Sequence, residues 1–82
     1  MIEIQSRQNA ALKHLARLGR ERKYRRSTGE MLCEGEKMLT EALRSGAEIK
    51  TVLVRRGFES EELRQAETQG AAMYCAEDAL FR

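Results

Sequence analysis

The first third of the chain has the spacing of an amphipathic helix followed by a short, almost wholly polar stretch. Apolar residues recur at helical spacing after Ser6, a residue type that favours helix N-caps, and Gly19 stands where a helix would end. The pattern therefore predicts a first helix over residues 6–18 with Ser6 as its N-cap. Residues 20–28 predict a second short helix or an ordered loop, closed by a glycine.

Further along the chain, short apolar runs alternate with other helical patterns. β-branched residues dominate the run IKTVLV, as expected of a strand that is covered on both faces. Alternation of strands and helices predicts parallel strands joined by crossovers. The predicted fold class is therefore α/β, a small three-layer α/β/α sandwich whose strand order stays open. The predicted strands are residues 30–34, 49–54 and 71–75, and the predicted helices are residues 36–45, 60–69, with Ser60 as its N-cap, and 76–82.

Length and composition describe one small domain. At 82 residues the chain can bury one hydrophobic core, and its 41% apolar and 34% charged residues are typical of a folded, soluble protein. We expect a single domain over residues 1–82 that continues past Arg82, because the last predicted helix ends abruptly. No apolar run approaches the roughly 18 residues of a membrane span and no secretory signal is evident, which predicts a cytoplasmic protein without a membrane partner. Cys33 and Cys75 are accordingly expected to be reduced, buried and free of metal.

The distribution of charge along the chain is uneven, which the overall composition does not show. The net charge is only +2, but residues 1–29, here called the basic arm, carry eight Lys/Arg against two Glu and have a net charge of +6. The remaining residues carry seven Lys/Arg against eleven acids, a net charge of −4. Clustered cations favour a polyanionic partner, because phosphates attract them and the released counterions add favourable entropy.

Two interpretations of the basic arm stay open on charge alone: a phosphate-binding surface, or a solvated helix face without a partner. Helical periodicity places Lys13, Arg17 and Arg20 within about 60° of one another on the first helix. Tyr24 either stacks on a base or packs against the core with its hydroxyl at the surface. The candidate phosphate-binding residues are Lys13, Arg22, Lys23, Arg25 and Arg26, with Asn9 available to hydrogen-bond a sugar or phosphate.

No catalytic or metal site is evident in this sequence. Glu34 has no His, Ser or second carboxylate at a catalytic spacing, so we expect a structural carboxylate that ion-pairs with an arginine of the basic arm. His14 is expected to be a surface or boundary histidine without functional partners. The sequence also lacks the glycine-rich motifs that cradle phosphates in nucleotide-binding proteins.

Spaced positions over residues 2–54 carry a resemblance to a known family. The pattern resembles the N-terminal substrate-binding domain of SpoU/TrmH RNA 2′-O-ribose methyltransferases. The combination of Asn9 and Lys13 with a downstream Glu-Gly pair is its most specific part. The matching positions are Ser6, Asn9, Leu12-Lys13, Leu18, Lys23-Tyr24-Arg25, Gly29, Leu32, Glu34-Gly35, Leu39, Glu41-Ala42-Leu43 and Gly46.

The resemblance implies a fold similar to that of ribosomal proteins that bind kink-turn RNA, here used to hold an rRNA or tRNA substrate. It also implies a second, larger domain that binds S-adenosylmethionine, carries the catalytic residues and forms a homodimer. This fragment would then be non-catalytic and without a cofactor of its own, and its basic arm would contact RNA. Two alternatives stay open: a stand-alone kink-turn-type RNA-binding protein, and a protein-interaction module whose basic arm meets an acidic partner.

Overall fold

The structure, a computed structural model, describes residues 1–81 and contains a parallel sheet with four α-helices. The chain ends, as far as it is described, in a short 3₁₀ turn over Asp78–Phe81. In chain order the elements are β1 (Ile2–Ile4), α1 (Ala10–Arg20), α2 (Arg22–Thr28), α3 (Glu36–Ser45), β2 (Thr51–Arg55), α4 (Glu61–Thr68) and β3 (Ala72–Ala76).

The sheet has the strand order β1-β3-β2, and both pairings are parallel. Val52 of β2 lies opposite Met73 of β3, and Ile4 of β1 lies opposite Ala76 of β3. Parallel neighbours need crossover connections, which the helices supply. The predicted α/β sandwich is thereby confirmed, and the strand order that the sequence left open is settled.

The hydrophobic core lies between the β2–β3 pair and α4. Leu63 and Ala66 are one helical turn apart on α4 and pack with Val52 and Met73 of the sheet. The helix begins where predicted, because the Ser60 side chain accepts a hydrogen bond from the backbone N–H of Leu63 at 3.1 Å. The partly buried residues packed against this core are Leu39, Ile49, Val54 and Phe58. Three further buried residues lie outside this cluster: Ile4, Leu18 and Ala76.

Most of the predicted elements are confirmed. The helix over residues 36–45 has the predicted bounds and ends at Gly46, whose φ of 75° is the left-handed conformation that glycine adopts without strain. The strands predicted at 49–54 and 71–75 are β2 and β3, each displaced by one or two residues. Within residues 20–28, Arg22–Thr28 form a separate helix, which decides between the two structures predicted for this stretch.

The strand predicted over residues 30–34 is wrong. Residues 30–34 form neither strand nor helix, and they pair with none of β1, β2 and β3. The prediction that Cys33 is buried is also wrong, since its side chain is exposed in this irregular segment. Both cysteines are free, and Cys75 on β3, which was also expected to be buried, is only half-buried. The short strand β1 was missed, because three residues carry too little pattern to be recognised.

Both ends of the chain differ from the prediction in detail. Helix α1 begins at Ala10, because Asn9 rather than Ser6 is its N-cap. The Ser6 hydroxyl instead accepts a hydrogen bond from the backbone N–H of Gln8 at 3.1 Å, which holds the turn before the helix. The α-helix predicted over residues 76–82 is a 3₁₀ turn through Phe81, and its last residue lies outside the described chain. Within residues 1–81, no helix is long and apolar enough to cross a membrane.

Candidate nucleic-acid interface

Helix α2 separates its charges from its aromatic residue. At 100° per residue, its four cations span about 160° of the helix circumference and Tyr24 lies on the opposite half. Gly29 ends the helix with a φ of 70°, a left-handed conformation in which a side chain would be strained. The cations on this half are Arg22, Lys23, Arg25 and Arg26. One half of α2 is therefore available to contact a polyanion.

The opposite half of α2 is fixed to α1 through His14. The Nδ1 atom of His14 lies 2.6 Å from the Tyr24 hydroxyl, and its Nε2 atom lies 3.1 Å from Oε1 of Glu30. An ionised carboxylate only accepts hydrogen bonds, so Nε2–H of His14 donates to Glu30, while Nδ1 shares a second hydrogen bond with the Tyr24 hydroxyl. His14 is a boundary residue, as predicted, but the expectation that it lacks partners is wrong. It joins α1, α2 and the segment that follows α2.

Arg17 covers one face of the Tyr24 ring. Its guanidinium carbon lies 3.8 Å from the ring centroid, and the ring meets His14 edge-on with centroids 5.5 Å apart. Such a cation–π contact is attractive, because the face of an aromatic ring carries partial negative charge. Tyr24 is thus half-buried with partners on α1 and is not part of the hydrophobic core, and stacking of its ring on a base stays a prediction.

Glu21, between α1 and α2, holds Arg17 in this position. Its carboxylate accepts two hydrogen bonds from the Arg17 guanidinium, at 3.1 and 3.2 Å. These hydrogen bonds are the main reason why the pKa of Glu21 is lowered and the pKa of Arg17 is raised. Arg20 adds a weaker ion pair with Glu21 at 3.6 Å. Arg17 and Arg20 are therefore already partnered within the domain.

Glu30, and not Glu34, is the carboxylate that contacts a side chain of the basic arm. Glu34 is exposed and forms no ion pair with any residue in the described range, so the predicted pairing with an arginine of the arm is wrong. The left-handed turn at Gly29 instead brings Glu30 beneath α2, where it meets His14 and, at 3.8 Å, the ammonium group of Lys50. Glu30 thus joins His14 of the basic arm to Lys50, which directly precedes β2, without an arginine of the arm.

The six predicted binding residues divide into two groups. Asn9 caps α1, accepting hydrogen bonds from Ala11 N–H at 2.8 Å and Leu12 N–H at 3.1 Å. Arg25 is half-buried and donates from Nη1 to the backbone carbonyl of Leu18 at 2.7 Å. The other four are exposed and have no hydrogen-bond or ion-pair partner within residues 1–81; these are Lys13, Arg22, Lys23 and Arg26. No observation tests the RNA contacts themselves, which stay predictions.

An open depression of about 410 Å³ lies between α2 and the segment that follows it. Among the predicted residues, the structure brings Arg22, Arg25 and Arg26 together here, while Lys13, Lys23 and Asn9 do not line it. Three lining residues were missed: Gly29, Glu30 and Met31. The glycine at the end of α2 was the available signal, since it turns the chain back beneath the helix. The lining residues are Arg22, Arg25, Arg26, Gly29, Glu30 and Met31.

Comparison with protein-family models gives a match. A family model described as the MRM3-like substrate binding domain matches residues 9–82, which include the whole of α1 and α2. No curated protein and no solved structure matches the chain. In the part of the chain that the structure describes, no three His, Cys, Asp or Glu side chains lie together as a metal site requires.

Proposed function

The chain belongs to the MRM3-like substrate binding domain family, the substrate-binding part of an RNA methyltransferase, and we propose that the cationic half of α2 binds the phosphate backbone of its RNA. Three exposed cations of α2 without an internal partner carry this proposal: Arg22, Lys23 and Arg26. Like charges on one short helix repel each other, so an anionic partner stabilises the arrangement. The internal contacts of His14 and Tyr24 leave this half of the helix clear.

A narrower proposal follows from the resemblance described above. We propose that the parent enzyme is of the SpoU/TrmH type and methylates a ribose 2′-hydroxyl of rRNA or tRNA in the cytoplasm. S-adenosylmethionine and the catalytic residues would be supplied by another domain, and the parent enzyme would form a homodimer through that domain. The motif positions Lys13, Lys23 and Arg25 support this proposal, since all three are cations of α1 or α2.

The salt dependence of RNA binding tests the proposal. The readout is the fluorescence anisotropy of a labelled RNA hairpin, titrated with the chain at several salt concentrations. If the three unpartnered cations of α2 and Lys13 of α1 each neutralise one phosphate, log K falls with log salt at a slope of roughly −2.8 to −3.6. An affinity that does not change with salt would refute the proposal.

A pair of double variants locates the contact. Lys23→Ala combined with Arg26→Ala removes two cations of α2, and the slope should become less steep by roughly 1.4 to 1.8. Lys37→Ala combined with Arg44→Ala removes the same charge from exposed positions of α3 and serves as the matched control. Equal losses in the two variants would mean that net charge matters and the surface of α2 does not.

A further inference from the structure

The depression beneath α2 has a chemically mixed lining that phosphate binding alone does not explain. The three arginines attract an anion, but the carboxylate of Glu30 repels an anion and the apolar side chain of Met31 does not bind it. Met31 is 72% exposed, more than any other large apolar side chain within residues 1–81. The depression therefore combines an apolar surface with positive charge.

Met31 provides an apolar surface beside guanidinium groups. A nucleobase has a flat apolar face, and methionine sulfur makes favourable contacts with aromatic rings. Arginine guanidinium planes also stack on bases. In a continuous duplex the faces of a base are covered by its neighbours in the stack, so only an unpaired and unstacked base can reach such a surface.

The carboxylate of Glu30 requires hydrogen-bond donors on the ligand. Its side chain is 26% exposed, and its two oxygens are oriented by His14 Nε2 at 3.1 Å and Lys50 Nζ at 3.8 Å. An ionised carboxylate can accept about four hydrogen bonds, so acceptor capacity remains on both oxygens. None of the arginines that line the depression ion-pairs with Glu30. Its remaining acceptor sites therefore suit the donor edge of a base, and guanine presents two adjacent donors, N1–H and the N2 amino group.

We infer that the depression holds a single unpaired nucleotide of the RNA, preferentially guanosine, with the base against Met31 and its donor edge at Glu30. The three arginines of the lining bind the adjoining phosphates. This inference rests on the proposed function, because it needs the RNA backbone to lie along α2. It adds a choice of nucleotide to a surface whose cations alone would bind any RNA sequence.

The test compares RNA duplexes that differ by one nucleotide. One duplex is fully paired, and four others carry a single bulged G, A, C or U at the same position. Their affinities for the chain are measured by fluorescence anisotropy at one salt concentration. The bulged-G duplex should bind at least about fivefold more tightly than the bulged-U duplex, because a matched pair of hydrogen bonds discriminates between bases. The affinity of the bulged-G duplex should also exceed that of the fully paired duplex by at least about fivefold, because its unpaired base can stack in the depression.

Two variants assign the effect to its residues. Met31→Ser should reduce the preference for a bulged duplex by about three- to tenfold. Met38→Ser is its matched control, since Met38 is 43% exposed on α3 and does not line the depression. Glu30→Gln keeps an acceptor for His14 but replaces the carboxylate by one acceptor and one donor, so it should abolish the preference for guanine.

The outcomes separate the inference from the proposed function. Salt-dependent binding with equal affinity for paired and bulged duplexes would overturn the inference and leave the proposed function standing. Equal behaviour of Met31→Ser and Met38→Ser would also overturn it. Absence of RNA binding, or binding that salt does not weaken, would refute the proposed function itself.

Discussion

Replacing Tyr24 by phenylalanine removes one hydrogen bond and leaves the packing of α2 in place. The ring keeps its contacts with the Arg17 guanidinium at 3.8 Å and with the His14 ring at 5.5 Å, so no cavity forms. What is lost is the 2.6 Å hydrogen bond to Nδ1 of His14, a side chain that is 29% exposed. A hydrogen bond of this kind contributes about 0.5–1.5 kcal/mol net. We expect the free energy of unfolding to fall by about 1 kcal/mol, which for a domain of this size lowers Tm by roughly 4–8 °C.

The measurement is urea denaturation followed by circular dichroism. Tyr74→Phe is the matched control, because Tyr74 is half-buried on β3 and its hydroxyl has no hydrogen bond to any described residue. A double-mutant cycle with His14→Ala isolates the pair, and its coupling energy should be about 0.5–1.5 kcal/mol. A zero coupling energy, or a loss in Tyr24→Phe no larger than in Tyr74→Phe, would refute the assignment.

Three further predictions concern the core, the α1–α2 junction and the end of α2. Leu63→Ala should lower the free energy of unfolding by about 2–5 kcal/mol, measured by urea denaturation, because it empties a position that is almost fully buried; a loss under 1 kcal/mol would contradict the core assignment. Since the Arg17 side chain lowers the pKa of Glu21, the folded state binds a proton there less readily than the unfolded chain does. The resulting stability is present above the ordinary glutamate pKa and is lost as the pH falls through the pKa that Glu21 has in the folded state. The urea midpoint of the wild type should therefore be higher than that of Glu21→Gln at pH 7, and the two midpoints should converge in acid. Gly29→Ala should cost about 1–2 kcal/mol, by the same assay, because its φ of 70° strains any residue with a Cβ; an unchanged midpoint would exclude this strain.

The cations of the candidate site could be read from the sequence, and their surroundings could not. The charges of α2 fall on one half of the helix because of helical periodicity alone, which needs no tertiary information. The roles of Asn9 and Arg25 depend on where α1 begins and ends, since one caps its first turn and the other binds the carbonyl of Leu18 in its last turn. The depression depends on the direction that the chain takes after Gly29, and this brings Glu30 and Met31 beneath α2.

The sequence by itself determined the local elements of this protein. Helices α3 and α4 and strands β2 and β3 follow from apolar spacing, from Ser60 as a cap and from Gly46 as a stop, all of which act over a few residues. Only the tertiary structure decided the strand order, the exposure of residues 30–34 and the partners of His14. The physical reason is that these features depend on contacts between segments distant in the chain. A local preference for strand produces a strand only where the segment pairs with another strand, and residues 30–34 pair with none of β1, β2 and β3.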